Sequence, residues 1–339
     1  MKTLLYAAFL AAEVLALSAG AAVGQATFQA PMVVPATKSE LAMRSPLNAL
    51  VIAGSRMVVA GQRGHILHSE DGKTWVQAAV PMSADLTALS FPTAQQGWAV
   101  GHEGAVLHSA DGGLTWERQL DGRQIGTLLA KDGQAPDAGA DKSLLGVWFE
   151  DEKKGFAIGA FNLILHTEDG GRSWRSWADH VDNPKGMHMY AMHPAGGTVY
   201  IVGEQGLVLK LDAQKQRFSS VALPYQGTIF GVVGTPKTTL VFGLRGNAYR
   251  STDGGTSWSK VDTGINASLT SGTVRSDGSF VLVSQAGHVL LSTDDGATFE
   301  RVKTVKSAPA FAVAELANGA VAVAGVGVRI ENLKKSAGQ

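Results

Sequence analysis

Arg44, Arg63 and Arg245, with Tyr190 or Tyr225, are residue types that could open the glycosidic bond of an acidic sugar. That reaction takes an acid, a nucleophile across the bond (a tyrosine in one enzyme class) and an arginine cluster for the substrate carboxylate. Histidine offers a second chemistry. His180, His188 and His193 fall close to Met187 and Met189, and imidazole with thioether could hold a soft metal ion. Their spacing matches no standard metal site, so the stretch reads as a connection and no metal or cofactor is expected. His68, His108 and His166 share one register in successive repeats; such positions do not converge on a point, and they read as strand-surface residues. With no cysteine in the chain, thiolate metal sites, a cysteine nucleophile and disulfides are excluded.

The most regular carboxylates sit in a repeated string. Ser109-Ala110-Asp111-Gly112-Gly113-Leu114-Thr115-Trp116 has near-copies that pair Asp71 with Trp75, Asp169 with Trp174, Asp253 with Trp258 and, in a worn form, Asp294 with Phe299. Asp before Gly is a turn signal: the carboxylate accepts backbone N–H groups and Gly takes positive φ at little cost. An aromatic ring just after the turn can anchor a hairpin. These aspartates therefore read as structural, not catalytic.

A second landmark precedes each string, at Gly61, Gly101, Gly159, Gly203, Gly243, Ser284 and Ala324, spaced about 40 residues apart. That period is the size of a four-stranded propeller blade, and seven landmarks give an all-β, seven-bladed propeller. Short runs rich in Val, Leu, Phe and Trp supply the strands, first strands beginning near Leu47, Leu86, Leu144, Met189, Ile229, Ser271 and Phe311. Blade 4 has lost its Asp string, with Phe218 keeping the aromatic anchor. The longer step between Gly101 and Gly159 is one insertion at 121–143, whose Gly/Pro-rich core reads as a surface loop. Blade 7 ends after its third strand, near Val328–Ile330. An open strand edge is a liability, so Phe28–Val34 is expected beside Val326–Ile330, closing the ring as an N-terminal strand in the last blade.

Lys2, the apolar run Leu4–Leu17 and the small residues after it read as a signal peptide over 1–26, despite Glu13; cleavage is expected after Ala26 or Ala22. The propeller then spans 27–333, with a flexible tail at 334–339. Nothing beyond the leader is apolar for long enough to cross a membrane. A net charge of zero gives no electrostatic argument for nucleic acid.

The Ser/Thr-x-Asp-Gly string resembles the Asp-box, or bacterial neuraminidase repeat, which implies a position between the two outer strands of a blade, on the face away from the usual binding surface. Leu145-Gly146-Val147-Trp148-Phe149, running on through Gly155-Phe156-Ala157-Ile158-Gly159, and Leu89-Ser90-Phe91 with Gly97-Trp98-Ala99-Val100-Gly101 resemble the photosystem II assembly and stability factor family, over residues 45 to about 330. That resemblance implies an exported seven-bladed propeller that binds protein partners during membrane-complex assembly, without enzyme activity. Two other readings stay open: an accessory protein of an envelope transporter, and a sialidase-like hydrolase. Against the latter, the Arg-Ile-Pro motif is missing and sialidases have six blades.

In a propeller the loops between second and third strands share a face with the blade-to-blade connections. Binding residues favour loops on a rigid scaffold. The candidates here are Arg63, His102, Glu103, Phe161, Glu204, Arg245 and Gln285 in those loops, with Tyr225 before the first strand of blade 5. The expected partner is a membrane protein or membrane-associated complex, bound by a monomer.

Overall fold

Alternation of apolar residues with glycine-marked turns builds seven antiparallel meanders, each in the order in which its strands occur in the chain. The computed structural model describes residues 29–131, 133, 143–304 and 307–333. The expected leader, Phe28, most of the latter half of the insertion and the C-terminal tail lie outside them. First strands run Leu47–Ala53, Leu86–Ser90, Leu144–Phe149, Met189–Ala195, Ile229–Gly234, Leu269–Val274 and Ala310–Glu315. Each packs beside the first strands of its neighbours, and that of blade 7 beside that of blade 1, so the ring is closed around a central bore. The protein is a seven-bladed β-propeller: six sheets have four strands, and the last has three among the described residues.

Second strands are buried along almost their whole length, with Val58, Val59, Ala99, Val100, Leu240 and Val241 all at 0% exposure. They form the middle of each blade, and the cores lie between adjacent blades. The two stretches that carry the family resemblance meet in one such core: Trp98 of blade 2 stacks on Phe149 of blade 3, 3.6 Å between centroids. The glycine landmark also has a packing cause. At Gly61 a Cβ would collide with the carbonyl oxygen of Pro46, where the chain enters the first strand, and equivalent glycines face the same clash. In blade 7 the residue in this role is Gly325, paired with Ala310, not Ala324.

Two expectations are corrected. Residues 31–34, within the stretch expected to close the ring, do not pair beside Val326–Ile330. Pro31–Val33 instead forms a short 3-10 turn, with Met32 buried among residues of blades 1 and 2. Arg118 donates to the Met32 carbonyl at 2.6 Å, and the Ala36 amide donates to that of Val80. Pro31 and Pro35 have no amide proton for a sheet ladder, which suits the segment poorly to a strand. Closure comes from a later stretch: the turn Ala42–Arg44 packs on the third strand of blade 7, Gly327–Glu331, and Pro46 bridges Val326. The insertion is likewise not all loop, because Gly122–Lys131 is an α-helix. Asp121 Oδ1 accepts the amides of Arg123 and Gln124, while Gln124 Oε1 accepts the amide of Asp121. This reciprocal cap satisfies amides that a helix start leaves orphaned. Ile125 and Leu129, one helical turn apart, bury into the core between blades 2 and 3.

Candidate binding face

Connections in a meander alternate between its two ends. The hairpins joining strands one to two and three to four emerge on one face; the turns joining two to three, and the passages between blades, emerge on the other. All the candidate binding residues fall on this second, turn face, and the Asp strings on the hairpin face.

The turn face is built from one repeated device. In blade 1 the His65 amide donates to the Gln62 carbonyl, with Arg63 at φ 56° and Gly64 at φ 69° between them. Two successive positive φ values make a type I′ turn, whose twist matches a hairpin and whose first central position favours Asn, Asp or Gly. Here that position holds Arg63, Glu103, Phe161, Gln205 and Arg245 in blades 1 to 5, at φ from 51° to 59°. Bulky residues in this conformation cost about 1–3 kcal/mol each. Arg63, Glu103, Gln205 and Arg245 are exposed, and Phe161 is 60% exposed. Among the described residues neither the Arg63 nor the Arg245 guanidinium has a hydrogen-bond or ion-pair partner; only their backbone amides are engaged, with Asp85 and Ser268.

The other candidates separate. His102 is exposed beside Glu103. Glu204 holds the first position of its turn, not the projecting one, and its carboxylate accepts the His188 amide at 2.9 Å. Tyr225 is half-buried, stacks on Tyr249 and donates its hydroxyl to the Leu244 carbonyl, so it braces the turns of blades 4 and 5. Gln285 is exposed in a turn of another type, closed by the Gly287 amide on the Ser284 carbonyl.

Sequence reasoning missed the inner rim. Every first strand carries a bulge near its start, turning one extra residue toward the bore: Asn48, Thr87, Leu145, Tyr190, Phe230, Thr270 and Phe311. Asn48, Thr87 and Thr270 bond the first strand of the following blade, at Leu86, Leu144 and Ala310. The bulge residues of blades 4 and 5 are aromatic instead and continue a line of rings: Phe161 meets His188 at 4.4 Å, His188 meets Tyr190 at 6.5 Å, and Tyr190 meets Phe230 at 5.6 Å. An aromatic strip thus runs from the exposed rim of blade 3 to the mouth of the bore.

On the hairpin face the Asp strings are closed units. Asp111 Oδ1 accepts the amides of Leu114 and Thr115 and the Ser109 hydroxyl, Oδ2 takes the Thr115 hydroxyl, and Trp116 Nε1 donates to the Gly113 carbonyl. Bonds to the ionised form hold these carboxyls down: Asp71 to about 2 through the amides of Thr74 and Lys73, and Asp253 to about 2 through the Ser257 hydroxyl and amide. Neighbouring blades clasp the same turns, with Arg56 on the Gly112 carbonyl, Gln119 on that of Gly170, Lys210 on that of Gly254 and Arg250 on that of Asp295.

The arrangement does not assemble the alternative chemistries. Tyr190 is raised by burial and then by Glu204, the reverse of an activated phenolate. Arg44 belongs to the closure turn on blade 7 and not to a type I′ turn such as those of Arg63 and Arg245. No group of three or more metal-binding side chains occurs among the described residues. His180 packs on Trp177, His188 on Phe161, and His193 faces the bore. His166 is not a surface residue: 5% exposed, it packs between Phe156 and Trp177.

A rigid ring that carries varied, strained side chains on one face and closed structural turns on the other defines a scaffold propeller. The chain belongs to the family described as Photosynthesis system II assembly factor YCF48, whose model matches residues 67–129 and 127–308. It is 25% identical over 183 residues to the Photosystem II assembly lipoprotein Ycf48 of Synechococcus sp. (strain CC9902), a match spanning 53% of this chain and 55% of that relative. The solved YCF48 of Cyanidioschyzon merolae superimposes with a TM-score of 0.64 at 16% identity, over 86% of this chain and 96% of that one. A YCF48 bound to D1 peptide superimposes with a TM-score of 0.66 at 16% identity, over 91% and 99%. Streptogramin B lyase, an enzyme, scores 0.68 at 12% identity, over 85% and 95%, so likeness at this level carries the fold alone.

Proposed function

We propose that this chain is an exported, non-catalytic propeller whose turn face binds a segment of a membrane protein and assists the assembly or stability of the complex that contains it. The reading rests on family membership and is supported by the solved relative bound to a D1 peptide. One observation carries it on this molecule: five successive blades keep a side chain where the type I′ turn favours Asn or Gly, and four of the five are Arg, Glu or Phe. Strain retained at equivalent exposed positions is what a scaffold shows when the side chains, not the turns, are wanted. Arg63 and Arg245 offer unpaired guanidiniums for carboxylates or backbone carbonyls; Phe161 and the rings behind it offer an apolar anchor, and Arg and aromatic residues are enriched at binding hot spots. His102, Glu103, Glu204 and Gln285 form the polar rim, with Tyr225 bracing it. The protein works as a monomer without a cofactor, outside the cytoplasm.

Tagged, exported protein recovered from membranes tests this. The Arg63→Ala/Arg245→Ala double variant should retain its melting temperature and lose most of the co-purifying membrane protein. Unchanged recovery would place the contact elsewhere and overturn the assignment. Mass spectrometry of the mature protein should show a new N-terminus between Ala22 and Phe28; an intact Met1 contradicts export by cleavage.

A further inference from the structure

Blade 4 lacks the Asp turn, and the hairpin face is open there. A cleft of about 540 Å3 lies between blades 3, 4 and 5, within the roughly 300–1,000 Å3 range of small-molecule sites. Trp148, Pro194, Val199, Leu211 and Pro236 give it apolar walls. Its polar side chains fall into two groups. Thr198 is used internally, donating to the Leu211 carbonyl, and Thr235 accepts the amides of Lys237 and Thr238. The side chains of Glu150 and His193, both exposed to solvent, have no hydrogen-bond or ion-pair partner among the described residues, and both line the cleft. A few unpaired polar groups in a mainly apolar hollow are the usual signature of a ligand site.

The charge balance indicates the ligand. Glu150 is the sole acidic or basic residue in the lining apart from His193. His193 also lines the bore. The His193 ring is exposed to solvent there, and the protein packed around it lowers its affinity for a proton. A neutral imidazole leaves the cleft with one negative charge. Trp148 stands in the same wall, its ring held near-parallel to Phe156 at 6.5 Å. An aromatic wall beside a carboxylate attracts a cation with a hydrocarbon body, through the ring quadrupole and the opposite charge together.

The geometry points to this cleft as a binding site for a small organic cation, with Glu150 as counter-charge and Trp148 as aromatic wall. It faces away from the turns, so the site is separate from the partner face and its occupant is a second ligand.

Calorimetric titration of the full chain with benzyltrimethylammonium tests the assignment, with benzyl alcohol and phenylacetate as the neutral and anionic comparisons. Saturable binding of the cation alone is expected. Glu150→Gln should weaken it at least about tenfold, a size ordinary for a lost charged contact. Ala213→Trp, a change at an exposed position on the cleft rim, should abolish it by filling the space while leaving the melting temperature unchanged. Equal affinity for benzyl alcohol, or undiminished binding by both variants, overturns the proposal. Absence of binding to the unaltered protein also overturns it. Membrane-partner recovery should be the same with Glu150→Gln as without it, which separates failure of this site from failure of the turn face.

Discussion

Single residues on the two faces carry opposite stability signatures. At the turn face the side chain at the first central position opposes the backbone. Arg63→Gly and Phe161→Gly relieve the positive-φ cost while adding chain entropy to the unfolded state. Each is expected to raise stability by up to about 1 kcal/mol while lowering partner recovery, a trade of stability against function; denaturant unfolding beside pull-down reads both. At the hairpin face the residues favour the fold. Asp71, Asp253 and Asp294 are held to about 2, below the unfolded value of about 3.9. Their contribution is complete above about pH 4 and is lost as pH falls toward 2. His166 is held to about 4, first by burial and then by Arg175, so it stays neutral in the fold while the unfolded chain takes a proton near 6.5. Stability should therefore fall in two stages on acidification, from about pH 6.5 to 4 and again from about 4 to 2. His166→Phe should flatten the first stage and Asp253→Asn the second, in midpoints measured across that range; an unaltered profile in either variant excludes the assigned group. Trp116→Ala should cost about 3–5 kcal/mol, because its ring is 6% exposed.

At the scale of elements, the sequence made the blades legible because two signals of different origin coincide. The Asp string reports a local turn, and the glycine landmark reports a collision with the chain entering the first strand, so both survive variation of the strands between them. Legibility failed where a cue was local and its consequence was not. Ala324 and Gly325 are adjacent small residues, and only the pairing of Gly325 with Ala310 decides between them. The Asp121/Gln124 cap and the one-turn spacing of Ile125 and Leu129 were readable in the insertion, but the Gly/Pro-rich residues after them set the loop reading. The inner aromatic rim was hidden because a bulge breaks the two-residue period by which a strand sorts its side chains, and nothing in Tyr190 or Phe230 marks one. The helix is open to test. Ile125→Ala should cost about 2–5 kcal/mol, since the side chain is fully buried between blades 2 and 3. Asp121→Ala should cost about 1 kcal/mol through the lost cap. Urea denaturation separates the two, and equal costs would contradict the packing described.

For the whole molecule the question is how a ring of seven sheets closes when its last sheet has three described strands. In an open array each blade would depend on its neighbours alone and unfolding could begin at either end. A closed ring removes the ends, and the contact between blade 7 and blade 1 becomes as necessary as any other. That seam joins first strands, Leu47–Ala53 beside Ala310–Glu315, and its outer part is covered by Ala42–Arg44 lying on Gly327–Glu331. Ala42 is 1% exposed within the shared core of Leu47, Ala312, Ala322 and Ala324. Ala42, Ala312, Ala322 and Ala324 are small, and with Leu47 filling the space beside them the buried seam has no place for a charged residue. Ala42→Glu therefore forces an unpaired carboxylate into the seam or parts it, and a large loss of stability is expected either way, about 3 kcal/mol or more. Val33→Glu is the matched control: it lies in the same leading segment but is 64% exposed, and should change stability by no more than about 0.5 kcal/mol. If the seam closes the ring, thermal unfolding of Ala42→Glu should show a lower midpoint and a broader transition, because blades 7 and 1 are free to open first. If both variants unfold like the unaltered protein, with the same midpoint and width, the Ala42–Arg44 turn does not hold the ring shut.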